Sequence, residues 1–226
     1  MPNNDIIICE EVVKMIGIYN YTVILTYMSV ASAITGMYLA FQGHPLWAVF
    51  CLMFSGLCDG FDGKVARTKK NRTKEEKAFG VQLDSLADMI AYGVLPVVIG
   101  ITIGLTKWYY IPIFVVFTLG ALIRLAHFNV LEEEVEIVKG QRLKSFIGLP
   151  TTSVCLILPA VFAFQEIAGS YFPVVYASAL LVIASLFVIK LRFVDKPDLK
   201  KLIQWVIVGV LEAIIIILLV KLWNSG

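Results

Sequence analysis

Four aspartates in a strongly apolar chain are the residues most able to do chemistry. Asp59 and Asp62 stand near the end of one apolar stretch, and Asp84 and Asp88 near the start of the next. A charged side chain at membrane depth costs about 2.5–3.5 kcal/mol on insertion scales, so four in two consecutive stretches ask for a function. With one residue every 100° around a helix, Asp59, Asp62, Gly63 and Ala66 fall at i, i+3, i+4 and i+7, on one face. Gly80, Asp84 and Asp88 repeat at i, i+4 and i+8, again on one face. Two adjacent antiparallel helices would therefore point two carboxylates each into a common space. Four carboxylates a few ångströms apart cannot all stay ionised without cations between them. Hard divalent ions, Mg²⁺ or Mn²⁺, suit an all-carboxylate site. Two of them, roughly 3.5–4 Å apart, would clamp a phosphoryl centre on its attacking and leaving oxygens. Gly56, Gly63, Ala66 and Gly80 leave room beside the carboxylates for a flat or bulky ligand. Arg67 ends the same helix with a planar donor fork suited to phosphate.

Other chemistries have little material. Cys9, Cys51, Cys58 and Cys155 show no paired or C-x-x-C spacing, and most sit in apolar stretches where a thiol is a small core residue. His44 and His127 are far apart, which leaves almost no material for a zinc site. Intramembrane acidic clusters also mark ion pathways, so a divalent-cation transporter is the rival of a different class. A transporter has no use for Gly63, Ala66 and Arg67 at fixed offsets, and Glu166 and Glu212 do not line up with the cluster as a relay.

The elements that must position the aspartates are membrane helices. The chain has 226 residues, 59% hydrophobic and 16% charged, with a mean hydropathy of +0.84. The apolar residues gather in stretches of about 20, the length that crosses roughly 30 Å of hydrocarbon at 1.5 Å per residue. Seven spans are expected near 21–41, 46–68, 80–104, 109–130, 148–166, 171–190 and 201–222. Residues 6–19 alternate isoleucines and valines with Glu10, Glu11 and Lys14, which reads as a short amphipathic helix on the membrane surface. The expected division is an interfacial helix over 1–20 and a transmembrane domain over 21–226. The acidic start of the chain predicts no cleaved leader. The stretches 67–77, 131–146 and 190–201 carry fourteen Lys and Arg residues, against Lys107 and Lys221 on the other side. That asymmetry places the three basic loops, the N-terminus and the aspartate ends of the spans in the cytoplasm.

The string Asp59-x-x-Asp62-Gly63-x-x-Ala66-Arg67, followed by Gly80-x-x-x-Asp84-x-x-x-Asp88, resembles the signature of the CDP-alcohol phosphotransferase family. The resemblance implies an all-α polytopic bundle of six core transmembrane helices, here with a seventh, and a homodimer. It also implies a binuclear metal site and transfer of a substituted phosphate from a CDP-linked lipid to an alcohol, with release of CMP. The twelve-residue spacer between Arg67 and Gly80 is charged and reads as a lengthened cytoplasmic turn. Leu83-Asp84-Ser85-Leu86-Ala87-Asp88 is similar to the membrane-type phosphatidylserine synthases, whereas phosphatidylglycerophosphate synthases carry Pro and Lys where Ser85 and Met89 stand here. Arg124-Leu125-Ala126-His127-Phe128-Asn129 and Phe146-Ile147-Gly148-Leu149-Pro150 resemble two further segments of the serine enzymes, with His127 in place of their basic residue.

The resemblance carries roles to particular residues. Asp59, Asp62, Asp84 and Asp88 hold the metals. Thr26, Asp59, Gly63, Ala66, Arg67 and Gly80 bind the nucleotide of the CDP-lipid. Asp88 is the base that takes the serine hydroxyl proton. Arg124 cannot lose its charge and needs an anion. It either pairs with an aspartate or a helix C-terminus, or holds the serine carboxylate or the lipid-linked phosphate, and Lys144 is placed for the same duty. The implied partners are CDP-diacylglycerol or an archaeal CDP-ether lipid, L-serine and membrane lipid, with no nucleic acid. An acceptor such as glycerol phosphate or inositol phosphate is the alternative within the family.

Overall fold

A computed structural model describes residues 21–69, 73–139, 145–146, 148–190, 194–195 and 199–224, together with Gly17. The amphipathic helix expected over 6–19 lies outside the described residues. A 3₁₀ turn at Tyr21–Val23 leads into α1 (Ile24–Phe41), and α2 (Pro45–Thr68) follows at once. Gly43 makes the turn between them with φ +82°, a conformation in which a side chain would be strained. Pro45 then opens α2 at a position where no N–H is needed. The two helices pack closely because their shared seam is small and polar. A Cβ on Gly36 would stand 2.9 Å from Cys51 Cβ. Ser32 Oγ donates to Cys51 O at 2.9 Å, and Ser55 Oγ donates to Ser29 O at 3.0 Å. In hydrocarbon such bonds hold helices together where hydrophobicity offers no preference.

A capping box starts α3 (Lys74–Asp88): Glu76 N donates to Thr73 Oγ1 at 3.1 Å, and Thr73 N donates to Glu76 Oε2 at 3.2 Å. The helix widens into a π-helical turn at Met89–Val94 immediately after Asp88, then continues as α4 (Leu95–Thr102). Pro96 lacks the N–H that a regular turn would need here, which removes one constraint on the preceding carbonyls. Two neighbours bind the loosened backbone, Thr118 Oγ1 donating to Gly93 O at 3.4 Å and Tyr176 OH to Pro96 O at 2.9 Å.

The fourth span, α5 (Ile111–Lys139), runs past the boundary near 130 expected from hydropathy. Helix formation does not stop at the membrane surface: Leu131 to Lys139 contains no Gly or Pro, so the helix continues through the glutamates. At 29 residues it is about 43 Å long, more than the hydrocarbon core requires. A 3₁₀ turn at Thr151–Ser153 opens α6 (Val154–Phe162), and α7 (Gln165–Ala168) leads to α8 (Phe172–Val188) and finally α9 (Leu199–Asn224). The two residues of β1 (Ser145–Phe146) pair antiparallel with those of β2 (Val194–Asp195), tying the α5–α6 and α8–α9 connections together.

Among the described residues, five stretches are long and apolar enough to cross a membrane: Tyr21–Phe41, Pro45–Ala66, Glu75–Thr102, Trp108–Glu133 and Gln165–Val188. Thr151–Phe162 and Ile203–Leu219 are shorter apolar helices, so length and composition of the described residues confirm five spans and leave the sixth and seventh unconfirmed. The outer faces carry exposed Ile34, Val115, Leu119, Leu122 and Val182, an exterior that suits lipid. Trp47, Trp108 and Tyr171, all exposed, mark the starts of the spans that run toward the aspartates, as an aromatic belt would. The interior packs Tyr92, Phe117, Leu158, Tyr176 and Leu180 at zero exposure. The protein is an integral membrane helix bundle.

Candidate metal centre and substrate cavity

Both α2 and α3 pack on α1, and their aspartate side chains meet in the space between them. Asp59 lies within hydrogen-bonding reach of Asp88, and Asp62 within reach of Asp84. Carboxylate oxygens of Asp59, Asp84 and Asp88 all lie within 4.8 Å of one another, close enough to share a metal ion. The fourth is held differently. Thr26 Oγ1, from α1, donates to Asp62 Oδ2 at 3.2 Å, and both side chains are buried. Thr26 therefore reaches the site through Asp62 and is not itself on the cavity wall. An all-oxygen, anionic donor set in a low-dielectric bundle fits a hard divalent cation.

The aspartates line a cavity of about 580 Å³. Gly60, Gly63 and Lys64 of α2 and Ser85 of α3 border it, and so do Arg124, Phe128, Asn129 and Glu132 of α5. Its apolar wall joins Phe50, Phe54 and Leu57 of α2 to Trp205, Gly209 and Ala213 of α9. These residues recur at helical spacing on each element, so the polar head of the cavity grades into an apolar slot along the bundle. The last helix, which sequence marks only as apolar, is thus part of the site. A volume of this size suits a substrate of nucleotide or lipid headgroup dimensions.

Small residues near the carboxylates divide into two kinds. Gly63 and Gly60 border the cavity. Gly56 does so too, but its missing side chain is already replaced: an added Cβ would lie 2.7 Å from Cys155 Cβ, so Gly56 lets α6 approach α2 and opens no space for a ligand. Ala66 and Gly80 do not border the cavity among the described residues.

Arg124 is 5% exposed and lines the cavity. Its Nε donates to Leu149 O at 3.0 Å, and its guanidinium carbon stands 5.5 Å from the centre of the Phe128 ring. Among the described residues the ion pair within 4.0 Å joins Lys69 to Glu76, so Arg124 is not neutralised by any of the four aspartates. One of its five donors is committed to holding the Gly148-Leu149-Pro150 segment against α5. Gly148 makes that contact achievable. Its φ is +80°, and a Cβ there would stand 3.2 Å from Ile189 O and 3.6 Å from Arg124 Nε.

The side chain of Arg67 and the whole of Lys144 lie outside the described residues. His127 is exposed and does not border the cavity. Sequence reasoning did not name Lys64, Ser85, Asn129, Glu132 or Thr151 as site residues, yet all five line the cavity. A signal for two of them existed: Arg124, Phe128, Asn129 and Glu132 fall at i, i+4, i+5 and i+8 on one face of α5. The other three are placed by contacts between elements.

A family model described as CDP-alcohol phosphatidyltransferase matches residues 19–191. The chain is similar to a CDP-diacylglycerol–serine O-phosphatidyltransferase of Helicobacter pylori, 29% identical over 199 residues that cover 83% of this chain and 76% of that relative. An enzyme of the same description from Saccharomyces cerevisiae is 33% identical over 126 residues, 54% of this chain and 44% of the relative. One from Mycobacterium tuberculosis is 27% identical over 114 residues, 49% of this chain. That match spans 37% of the mycobacterial relative's own length.

Proposed function

The chain belongs to the CDP-alcohol phosphatidyltransferase family, and from that premise we propose that it transfers the phosphatidyl group of a CDP-linked lipid to the hydroxyl of L-serine, releasing CMP. The donor is CDP-diacylglycerol or an ether-lipid counterpart. The observation that carries the reading is the meeting of Asp59, Asp84 and Asp88 on the wall of a cavity that also presents a buried arginine. A carboxylate cluster is the place for a phosphoryl group held by cations, and a cationic fork beside it is the place for a second anion. The relatives described as serine enzymes support serine as the acceptor.

Asp59, Asp62, Asp84 and Asp88 hold two divalent ions, Mg²⁺ or Mn²⁺, which when bound offset the negative charge on the phosphoryl oxygens. Gly63, on the cavity wall, receives the nucleotide together with Arg67, while Ala66 and Gly80 stand off that wall as small residues of the same motif, and Thr26 fixes the orientation of Asp62 by its hydrogen bond. Arg124, aided by Lys144, receives the serine carboxylate. Asp88, the last residue before the π-helical turn, accepts the proton of the serine hydroxyl as that oxygen attacks the lipid-side phosphorus. The phosphorus–oxygen bond to CMP then breaks, and CMP departs as an anion. No covalent intermediate with the protein is needed. The active end faces the cytoplasm of the cell membrane, and the working unit is a homodimer.

The test is release of CMP from CDP-diacylglycerol by the purified chain in detergent micelles with Mg²⁺ or Mn²⁺. Release should depend on added L-serine and yield phosphatidylserine. Equal release with glycerol phosphate or inositol phosphate, and none with serine, would assign a different acceptor. No release with any alcohol would remove the transferase reading itself.

A further inference from the structure

Lys64 stands two residues beyond Asp62 on α2 and lines the cavity beside Gly60 and Phe61, with which it shares a helix face. Its Nζ is shut off from solvent and makes no hydrogen bond. Among the described residues no carboxylate comes within 4.0 Å of it, although four aspartates border the same cavity. The group that faces the ammonium is the Phe61 ring, with 5.9 Å from Nζ to its centroid. A cation–π contact at about 6 Å is at the edge of its useful range and supplies no counter-charge. A lysine near a helix end ordinarily snorkels to water along its flexible stem. Here the side chain is half-buried and its ammonium is covered, where a charge without a counter-ion is unfavourable.

We propose that Lys64 is an anion-binding residue of the cavity, its ammonium receiving a phosphate oxygen of the nucleotide-linked donor. The inference rests on the family reading for the identity of the donor. Its physical part is independent of that reading: a buried cation in a cavity lacks its anion until a ligand brings one. A lysine is a compact point charge that suits the spread charge of a diphosphate, whereas the guanidinium of Arg124 offers the two-pronged fork that suits a carboxylate. The two cations thus divide the two anionic groups that one phosphatidyl transfer must bring together.

The test compares the full-length wild-type chain with Lys64→Met and Lys64→Arg, each checked for folding by thermal unfolding in detergent. Equilibrium binding of CDP-diacylglycerol with Mg²⁺ is measured beside the KM for serine. Loss of a buried charge contact should raise the Kd for CDP-diacylglycerol about tenfold or more in Lys64→Met. Lys64→Arg should recover most of that loss, and the KM for serine should stay near wild type. A rise confined to the KM for serine would show the same anion chemistry with the acceptor carboxylate as its source, and would overturn the assignment to the donor. Both constants unchanged in folded Lys64→Met would overturn the proposal altogether. Should Lys64→Met fail to fold, Lys64→Gln, which keeps a polar stem without the charge, is measured in its place. A raised Kd for CDP-diacylglycerol in folded Lys64→Gln supports the proposal, and an unchanged Kd refutes it. A wild-type chain that binds CDP-diacylglycerol but does not use serine would defeat the acceptor reading alone, since the binding comparison still decides Lys64.

Discussion

Ser85 of α3 and Asn129 of α5, 44 residues apart, hold each other by a pair of hydrogen bonds on the wall of the cavity. Asn129 Nδ2 donates to Ser85 Oγ at 2.8 Å, and Ser85 Oγ stands 3.1 Å from Asn129 Oδ1. The position at which the serine enzymes differ from the phosphatidylglycerophosphate enzymes is thereby joined to the asparagine that ends the Arg124 segment. A proline at 85 would have no hydroxyl to give, and Asn129 would turn elsewhere.

This contact predicts a selective defect. Asn129→Leu removes both bonds and leaves Ser85 without its partner. The expected result is a fall of about tenfold in kcat/KM for serine, the scale of one lost hydrogen bond in a substrate pocket. Binding of CDP-diacylglycerol should move less than that. Equal losses toward both substrates would make the pair a brace between α3 and α5 without a role in acceptor choice.

Removal of metal is the second prediction. Three carboxylates with oxygens inside 4.8 Å are poised for a cation, and without one their mutual repulsion disfavours the ionised trio. Chelation should abolish CMP release, and Mg²⁺ or Mn²⁺ should restore it. Asp59→Asn and Asp84→Asn should weaken metal binding measured by calorimetry, with activity recovering partly at high metal. Full activity in excess chelator would contradict the proposed role of the trio.

The third prediction concerns the base. Asp88→Asn keeps the size and hydrogen bonding of the side chain but removes its capacity to take a proton. CDP-diacylglycerol binding should persist while turnover falls by about 10²–10⁴, the range general-base catalysis supplies. Near-normal turnover with metal binding confirmed would place the base elsewhere.

Arg124 gives a fourth prediction, because one of its donors already serves the Leu149 carbonyl. Arg124→Lys loses the planar fork, so the KM for serine should rise more than that for CDP-diacylglycerol. Loss of thermal stability with unchanged KM ratios would reduce Arg124 to a tie between α5 and the segment before α6.

Gly148 supplies the last. Its φ of +80° makes any side chain cost about 1–2 kcal/mol from backbone strain, before the crowding against Ile189 O is counted. Gly148→Ala should lower the thermal midpoint and loosen the Arg124 contact, with a fall in activity toward serine. A midpoint equal to wild type would show that the segment adapts without strain.

Composition and periodicity were enough to read the membrane class, the two aspartate faces and their meeting across α2 and α3. Each depends on local rules: span length follows bilayer thickness, and face follows helical angle. The extension of α5 beyond the membrane was hidden because hydropathy reports burial in lipid, while helix propensity carries the chain on to Lys139. The partners of the site residues were hidden for a different reason. Thr26 on Asp62, Leu149 on Arg124, Cys155 against Gly56 and α9 along the apolar slot are contacts between elements far apart in sequence. Such contacts are set by packing of whole helices, which no single stretch encodes. The charge of Lys64 is legible in one letter of the sequence. That its ammonium lies buried without an anion is decided only when α2 takes its place against the rest of the bundle.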